Sequence, residues 1–217
     1  MFKVGNLTKS ALLAASILFV TGLAFLSAGA QNGTNQTVRL ETTKGPITIR
    51  VYNTIVPYTA GNFLDLVDSG FYNGLIWHRV ENWVIQGGDP NGNGTGNATD
   101  AQGNPKFLRL ECNPNLNHNQ AGMVAMARNQ NPNSASCQFY ILKSPMPQLN
   151  GKYAVFGRVI GGMQTVYAIR PGDRIVSAQI LQSNNDAAAA SSSSSDSSSS
   201  QDAPPVGRNG KPKDSGF

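Results

Sequence analysis

The chain has 217 residues, 40% of them hydrophobic, so it is long and apolar enough to bury one domain core. Its formal net charge of +5 comes from scattered lysines and arginines, without a basic run or interleaved aromatic residues, which argues against a nucleic-acid-binding protein. Its two histidines and two cysteines do not lie at metal-ligand spacing, which argues against a zinc site.

Residues 1–30 have the order of segments found in secretory signals. Lys3 and Lys9 precede an apolar run over 11–30, which ends in the small-residue sequence AGA. We predict a cleaved signal peptide followed by a short linker over 31–37, and loss of the two lysines leaves a net charge of +3. Because the apolar run is about as long as a membrane span, an uncleaved membrane anchor is the alternative.

Residues 183–217 include the run AAAASSSSSDSSSS and carry few apolar side chains. Such a segment cannot offset the entropy cost of ordering, so we predict a disordered Ala/Ser-rich tail. The segment 38–182 is then predicted to form the folded domain.

The domain begins with a predicted hairpin and helix. TVRLETTKGPITIRVY contains two alternating runs around a Gly-Pro turn. In VPYTAGNFLDLVDSG, Pro57 suits a first helical turn, Phe63, Leu64 and Val67 share one face, and Gly70 suits the position after the helix.

The rest of the domain predicts short strands at GMVAMA, QFYIL and YAVFGRVI, a helix at GGMQTVYAIR and a closing strand at RIVSAQIL. Many short strands with Gly-, Asn- and Pro-rich connections are typical of an all-β sandwich or barrel with one or two helices.

Between these regions, FYNGLIWHRVENWVIQGGDP (residues 71–90) predicts a second hairpin, with strands at 76–80 and 83–87. In a strict antiparallel register Val80 faces Trp83, Arg79 faces Val84, and Trp77 faces Gln86. One side then carries Arg79, Trp77, Val84 and Gln86, and the core side carries Ile76, His78, Val80 and Ile85. The mixed side favours a binding face, with an ordinary surface pair of Arg and Gln as the alternative.

A second stretch favours the binding face. In SCQFYIL, alternation places Cys137, Phe139 and Ile141 on a core side and Gln138, Tyr140 and Leu142 on the other. Two amides, an arginine and aromatic rings on sheet faces describe a groove for an extended, partly apolar peptide. No titratable pair is present, so acid–base hydrolysis is not the natural chemistry.

The two cysteines leave two structural alternatives. Cys112 and Cys137 form a disulfide, which export permits, or remain free thiols. A hydrolase with a cysteine nucleophile is a disfavoured third function, since no known nucleophile motif is present.

Three segments in order resemble the cyclophilin-type peptidyl-prolyl cis-trans isomerases: IWHRVENWVIQGGDPNGNGTG, MARNQNPNSASCQFYI and LNGKYAVFGRVIGGM. The resemblance runs from about Val38 to Leu181. It implies a closed eight-stranded antiparallel β-barrel capped by two α-helices. It also implies an enzyme without cofactor or metal that rotates X-Pro bonds.

The resemblance assigns roles residue by residue. It implies that Arg79 donates a hydrogen bond to the prolyl nitrogen and that Gln86 helps to hold this arginine and the substrate. The implied substrate-binding residues are Trp83, Val84, Ala127, Arg128, Gln138, Tyr140, Gln148, Leu149 and Tyr153.

Three departures from the family pattern bear on this assignment. The loop between Arg79 and Gln86 is one residue shorter than usual, and the strict register turns Trp83 away from the groove unless the loop is wider than two residues. Gln148 stands where an aromatic residue is common, which should weaken binding of cyclosporin-like macrocycles. The connection GTGNATDAQGNPKF is longer than usual and is expected to alter access to the groove.

The sequence therefore predicts an exported, monomeric peptidyl-prolyl isomerase that acts on Pro-containing segments of other proteins and assists their folding. It predicts no nucleic-acid partner, and a membrane association only if residues 1–30 stay uncleaved. The alternative is a non-catalytic module that holds Pro-containing segments outside the cytoplasm.

Overall fold

The computed structural model describes residues 34–181. The predicted signal peptide at 1–30 and the predicted tail at 183–217 lie outside the described residues. Within the described part, no helix is long and apolar enough to cross a membrane.

Residues 34–181 form one antiparallel sheet of eight strands with two α-helices and a short 3-10 helix. In chain order the elements are β1 (Gln36–Thr42), β2 (Gly45–Val51), α1 (Pro57–Asp68), β3 (Arg79–Val80), β4 (Val84–Gly87), β5 (Met123–Met126), β6 (Phe139–Leu142), the 3-10 helix (Pro147–Leu149), β7 (Val155–Gly161), α2 (Met163–Ala168) and β8 (Ile175–Leu181). The first hairpin, both helices and the later strands are confirmed.

The sheet is curled, with the strand order β3-β4-β6-β5-β7-β2-β1-β8. The expected closed barrel is not shown, because β3 and β8 form the two edges and no ladder joins them. A single bridge between Ile76 and Arg174 lies just before these two strands. The mainly β architecture of eight antiparallel strands and two α-helices is therefore confirmed, and its closure is not.

Helix α1 shows how local sequence and burial agree. Pro57 occupies the first turn, where its missing N–H costs no hydrogen bond, and Gly70 follows the helix with a φ of 70°. Phe63, Leu64 and Val67 are buried, as the predicted apolar face requires. The Phe63 ring lies 4.7 Å from that of Phe156, between ring centroids, and so fastens the helix to the sheet.

Alternation along the central strands gives the sheet two apolar faces. The inner cluster lies beneath the helices, whereas the outer cluster lies on the opposite side of the same strands. Ile85, Val124, Phe139 and Ile141 belong to the inner cluster. The outer cluster comprises Val84, Met123, Ala125, Tyr140, Leu142 and Val155, with Trp83, Leu116, Ala127, Met146, Leu149 and Tyr153 packed against it. The alternation predicted for β6 is confirmed.

The predicted register of the second hairpin is wrong by two residues. Arg79 pairs with Gln86 and Val80 pairs with Ile85, because residues 81–83 form a loop wider than the strict hairpin allows. Trp77 does not share the face of Arg79. It is fully buried in the inner cluster, and its backbone bonds to the loop at Gly172 and Asp173 instead of β4. Within β3 and β4 a shift of two keeps each side chain on its face, so Arg79 and Gln86 still share one.

Gly88 marks a close approach between β4 and the segment that leads into β6. Its φ is 82°, and a Cβ there would lie 2.7 Å from the Cys137 carbonyl oxygen and 2.9 Å from the Tyr72 ring. Only a glycine fits both the backbone conformation and the available space.

We expect Gly88→Ala to destabilise the fold by both strain and collision. Gly172→Ala is the matched control, since Gly172 also has a positive φ of 88° but no atom within 4 Å of the added Cβ. The left-handed backbone alone costs about 1–2 kcal/mol, and overpacking at Gly88 adds roughly 1–3 kcal/mol. Urea unfolding of both variants measures the difference, and equal losses would contradict the close-approach argument.

Candidate active site

The guanidinium of Arg79 is held at the edge of the sheet by two side chains. Its Nη1 donates to Oε1 of Gln86 at 3.2 Å, across the β3–β4 pair. Its Nε donates to Oε1 of Glu81 at 2.8 Å, and both side chains of this ion pair are exposed to solvent. The hydrogen bond from Arg79 lowers the pKa of Glu81, so this carboxylate stays charged at neutral pH.

Trp83 completes the surroundings of Arg79. The Arg79 Cζ lies 5.2 Å from the centroid of the Trp83 ring, within cation–π range. Lys143 holds this loop, because its backbone N–H donates to the Trp83 carbonyl and its Nζ donates to the Glu81 carbonyl, both at 2.8 Å. The wider loop therefore brings Trp83 to the groove, and the strict register that turned it away is wrong.

A chain of amides continues from Gln86 across the sheet. Nε2 of Gln86 donates to Oε1 of Gln138 at 3.0 Å. Nε2 of Gln138 donates in turn to the carbonyl oxygens of Gly94 and Gly96, at 3.0 and 2.9 Å. Each amide is thus fixed in one orientation, and the last acceptor in the chain, Oε1 of Gln86, faces Arg79.

Asp89 fixes the loop that supplies those carbonyls. Its buried carboxylate accepts hydrogen bonds from the backbone N–H groups of Asn91, Asn93, Gly94 and Gly96, three of them at 2.8–3.0 Å. Burial acts to raise the pKa of Asp89, but the four backbone donors outweigh it and hold the pKa below its usual value.

The outer cluster forms an apolar wall next to this polar chain. Val84 and Tyr140 are buried in it, while Trp83, Ala127, Leu149 and Tyr153 pack against it. The rings of Tyr140 and Tyr153 meet edge to face with centroids 6.0 Å apart. The structure thus gathers these six predicted substrate-binding residues on one face, beside Arg79 and Gln86.

The Tyr140 hydroxyl needs a partner at this depth, and His118 supplies it. Nε2 of His118 lies 2.8 Å from the hydroxyl oxygen, and Nδ1 lies 3.3 Å from Oδ1 of Asn150. Burial lowers the pKa of His118, so the ring is neutral at pH 7. Since Oδ1 of Asn150 can only accept, Nδ1 carries the proton and Nε2 accepts from Tyr140.

Arg128 lies at the other end of the apolar wall. Its Cζ is 4.5 Å from the Tyr153 ring centroid, and its guanidinium donates to the backbone carbonyls of Lys152 and Asn129. It also lines a cavity of about 320 Å³ together with Gln86, Gln138 and Phe107. Phe107 is the last residue of the long connection GTGNATDAQGNPKF, so this connection lines the cavity.

Gln148 is the predicted site residue that the structure does not bring into the cluster. It lies exposed on the 3-10 helix, and the hydrogen bond of its Nε2 goes to the sulfur of Met146 at 3.5 Å.

The cysteines do not form a reactive pair. Both are free, with Cys137 buried and Cys112 exposed. Burial raises the pKa of Cys137 to about 11 and also raises that of Cys112, so neither is a thiolate at neutral pH. Among residues 34–181 no group of His, Cys, Asp or Glu side chains could hold a metal ion.

Sequence reasoning missed three residues that organise the site. Asp89 begins the Gly- and Asn-rich run DPNGNGTG, where an acidic residue that binds the following backbone N–H groups is a recognisable turn signal. Glu81 lies two residues after Arg79, and this spacing could have indicated an ion pair between them. His118 gives none, because its contact with Tyr140 depends on the fold.

We expect Asp89→Asn to loosen the loop over 89–96, because the neutral amide presents one acceptor oxygen in place of two charged ones. The expected loss in unfolding free energy at pH 7 is on the order of 2 kcal/mol. The carboxylate's contribution is present above the unfolded-state pKa of about 3.9 and disappears as pH falls through the lower folded-state pKa.

Chemical unfolding of wild type and variant between pH 3 and 7 measures this difference. Asp100→Asn is the matched control, since Asp100 also accepts backbone hydrogen bonds but in an exposed turn, and it should lose less. A difference between wild type and Asp89→Asn that stays constant down to pH 3 would contradict the role of the charge.

Sequence comparisons with known proteins identify a family. The family model described as cyclophilin type peptidyl-prolyl cis-trans isomerase matches residues 37–186. A peptidyl-prolyl cis-trans isomerase-like 1 of Aspergillus niger is 42% identical over 130 residues, covering 59% of this chain and 78% of the relative. A peptidyl-prolyl cis-trans isomerase of Schizosaccharomyces pombe is 45% identical over 127 residues, covering 58% and 79%.

Solved structures give the same result. The crystal structure of a cyclophilin type peptidyl-prolyl cis-trans isomerase of Cryptosporidium parvum superposes with a TM-score of 0.64 at 31% identity, covering 69% of this chain and 99% of the other. The same protein in the presence of the dipeptide Ala-Pro gives a TM-score of 0.63 at 32% identity, covering 68% and 100%. The chain therefore belongs to the cyclophilin-type family of peptidyl-prolyl cis-trans isomerases.

Proposed function

We propose that Arg79 carries the isomerase activity of this chain and that the activity serves proteins exported from the cytoplasm. The observation that supports the first part is a guanidinium fixed by Gln86, Glu81 and Trp83 at the border of an apolar wall. Pro-containing peptide segments are the substrates of cyclophilin isomerases, and this groove offers such a segment both a cation and an apolar surface.

The reaction needs a positioned donor rather than a nucleophile. Rotation about an X-Pro bond breaks amide resonance, against a barrier of ~18–20 kcal/mol. In the twisted state the prolyl nitrogen becomes pyramidal and regains a lone pair, which accepts a hydrogen bond that the planar amide accepts poorly. A donor fixed near that nitrogen binds the twisted state more tightly than the ground state, and each ~1.4 kcal/mol of this difference gives a tenfold rate increase.

Arg79 retains donors for this role. A guanidinium carries five N–H groups, and the hydrogen bonds to Glu81 and Gln86 use two of them. Because Arg79 makes no other side-chain hydrogen bond within residues 34–181, the other three are available to a bound peptide. The arginine is thus oriented before the substrate arrives, which reduces the reorganisation needed in the transition state.

The apolar wall is the proposed seat of the proline ring. Trp83 and Leu149 are half-buried and present aromatic and aliphatic surface next to Arg79, packed against the buried Val84 and Tyr140. Gln86 and Gln138 border this wall, and Gln86 keeps one N–H of its Nε2 for the peptide backbone, since both N–H groups of Gln138 bond to Gly94 and Gly96. Gln148 is exposed and leaves one side of this pocket without an aromatic ring, which supports weak binding of cyclosporin-like macrocycles.

We also propose that the sheet closes into a barrel. Arg79 lies on an edge strand of two residues, which by itself is a weak support. The bridge between Ile76 and Arg174 and the hydrogen bonds from the Trp77 backbone support a barrel that closes beside β3 and restrains Arg79.

Export is proposed on the sequence of residues 1–30, with an uncleaved anchor as the alternative. X-Pro isomerisation takes tens to hundreds of seconds without a catalyst, so proteins that fold after export are suitable clients.

We expect Arg79→Ala to lower kcat/KM on an X-Pro peptide by on the order of a hundredfold, since it removes a donor aimed at the twisted state. Two-dimensional NMR exchange between the cis and trans peptide measures the rate. Arg50→Ala is the control, because Arg50 is an exposed arginine on β2, and it should retain wild-type activity. Peptide binding without acceleration in the wild type would instead favour the non-catalytic module.

We expect the chain to lose residues 1–30 when it is produced with its own N-terminus in a bacterium with a secretory pathway. Mass spectrometry and N-terminal sequencing of the extracytoplasmic form should find Gln31 first. Ala30→Arg should block cleavage, whereas Gly29→Arg, at the unrestricted middle position of AGA, should not. An intact chain in the membrane fraction would establish the anchor, and an intact soluble chain in the cytoplasm would overturn export.

A further inference from the structure

The guanidinium of Arg128 is preorganised next to the substrate groove. Nε and Nη2 both donate to the Lys152 carbonyl, at 3.0 and 2.7 Å, and Nη1 donates to the Asn129 carbonyl at 2.8 Å. The group also lies 4.5 Å from the Tyr153 ring centroid. Its position is therefore fixed by backbone atoms and a ring, and a ligand that binds it meets little entropy cost.

The charge of Arg128 has no carboxylate partner within residues 34–181. Its three hydrogen bonds go to two neutral carbonyls, and none of the ion pairs of the described residues includes it. Arg79 differs, because Glu81 pairs with it at 2.8 Å. Of the five N–H groups of Arg128, two remain for a ligand.

The cavity beside Arg128 presents a single charge. The lining residues within the described part of the chain are otherwise polar or apolar, including Thr95, Asn97 and Ser134, and Arg128 is the charged one among them. The cavity volume of about 320 Å³ is large enough for a side chain with water. Gln86, Ala127 and Gln138 belong both to this lining and to the groove, so a peptide bound in the groove passes the cavity mouth.

We infer that this cavity selects substrates with an acidic side chain near the isomerised proline, and that Arg128 is the residue that determines this preference. The inference rests on the proposed use of the groove by X-Pro peptides. A glutamate or aspartate carboxylate of the substrate accepts hydrogen bonds from the two remaining N–H groups of Arg128. It also supplies a negative charge next to a guanidinium that has no carboxylate partner within residues 34–181. Glutamine fits the same space and lacks only that charge.

The test uses paired peptides that differ in one group. Each peptide contains one X-Pro bond and carries glutamate or glutamine at one of the three positions on either side of the proline. The ratio of kcat/KM for the glutamate and glutamine members is measured by NMR exchange at low salt. At one position we expect a ratio of about three to five in the wild type, the range of a partly exposed charge pair.

The enzyme variants assign that ratio to Arg128. Arg128→Gln should bring it to about one, and Arg128→Lys should retain part of it because the charge stays and the fork is lost. Lys152→Gln is the matched control, since it removes a neighbouring exposed charge and keeps the backbone carbonyl that holds Arg128. In the wild type, 1 M NaCl, where the screening length is about 3 Å, should reduce the ratio towards one.

The outcomes separate this inference from the proposed function. Equal rates for both members at every position in the wild type would overturn the inference and leave the isomerase intact. A ratio that persists in Arg128→Gln, or that disappears in Lys152→Gln, would overturn the assignment to Arg128. Absence of acceleration for all peptides would overturn the proposed function itself.

Discussion

The arrangement of the groove depends on one buried carboxylate. Asp89 can only accept hydrogen bonds, so the loop over 89–96 folds around it with backbone N–H groups directed inward. The carbonyls of Gly94 and Gly96 are then left for Gln138, whose two N–H donors they occupy. Gln138 must therefore offer its oxygen to Gln86, and Gln86 must offer its own to Arg79. The direction of each hydrogen bond between the loop and Arg79 therefore follows from the Asp89 carboxylate.

Burial keeps three titratable side chains near the groove neutral and leaves Arg79 and Arg128 as its charged donors. It raises the pKa of Tyr140 and of Cys112 and lowers the pKa of His118, so none of the three ionises near pH 7. A groove with fixed donors and without a base or nucleophile suits bond rotation, in which no covalent bond forms or breaks. The electrostatics of the site and the chemistry of the family thus agree.

Sequence patterns predicted what depends on neighbours along the chain. Alternation in β6 correctly placed Phe139 and Tyr140 on opposite faces. Pro57 and Gly70 correctly marked the start and the end of α1. The prediction that Arg79 and Gln86 share a face is confirmed despite an error of two in the pairing, because strand faces repeat every second residue. Trp77 was misplaced because the segment before β3 bonds to residues nearly a hundred positions later. No local pattern could reveal that contact, or the one between His118 and Tyr140.

The two apolar faces of the sheet assign separate tasks to adjacent residues. In β4 and β6, Ile85, Phe139 and Ile141 fill the interior, whereas Val84 and Tyr140 shape the groove. A substitution at Val84 alters the packing under Trp83 and Leu149 without creating a cavity beneath α1. The outer face can therefore change in shape while the inner core keeps its packing, because alternate residues of one strand fill separate clusters.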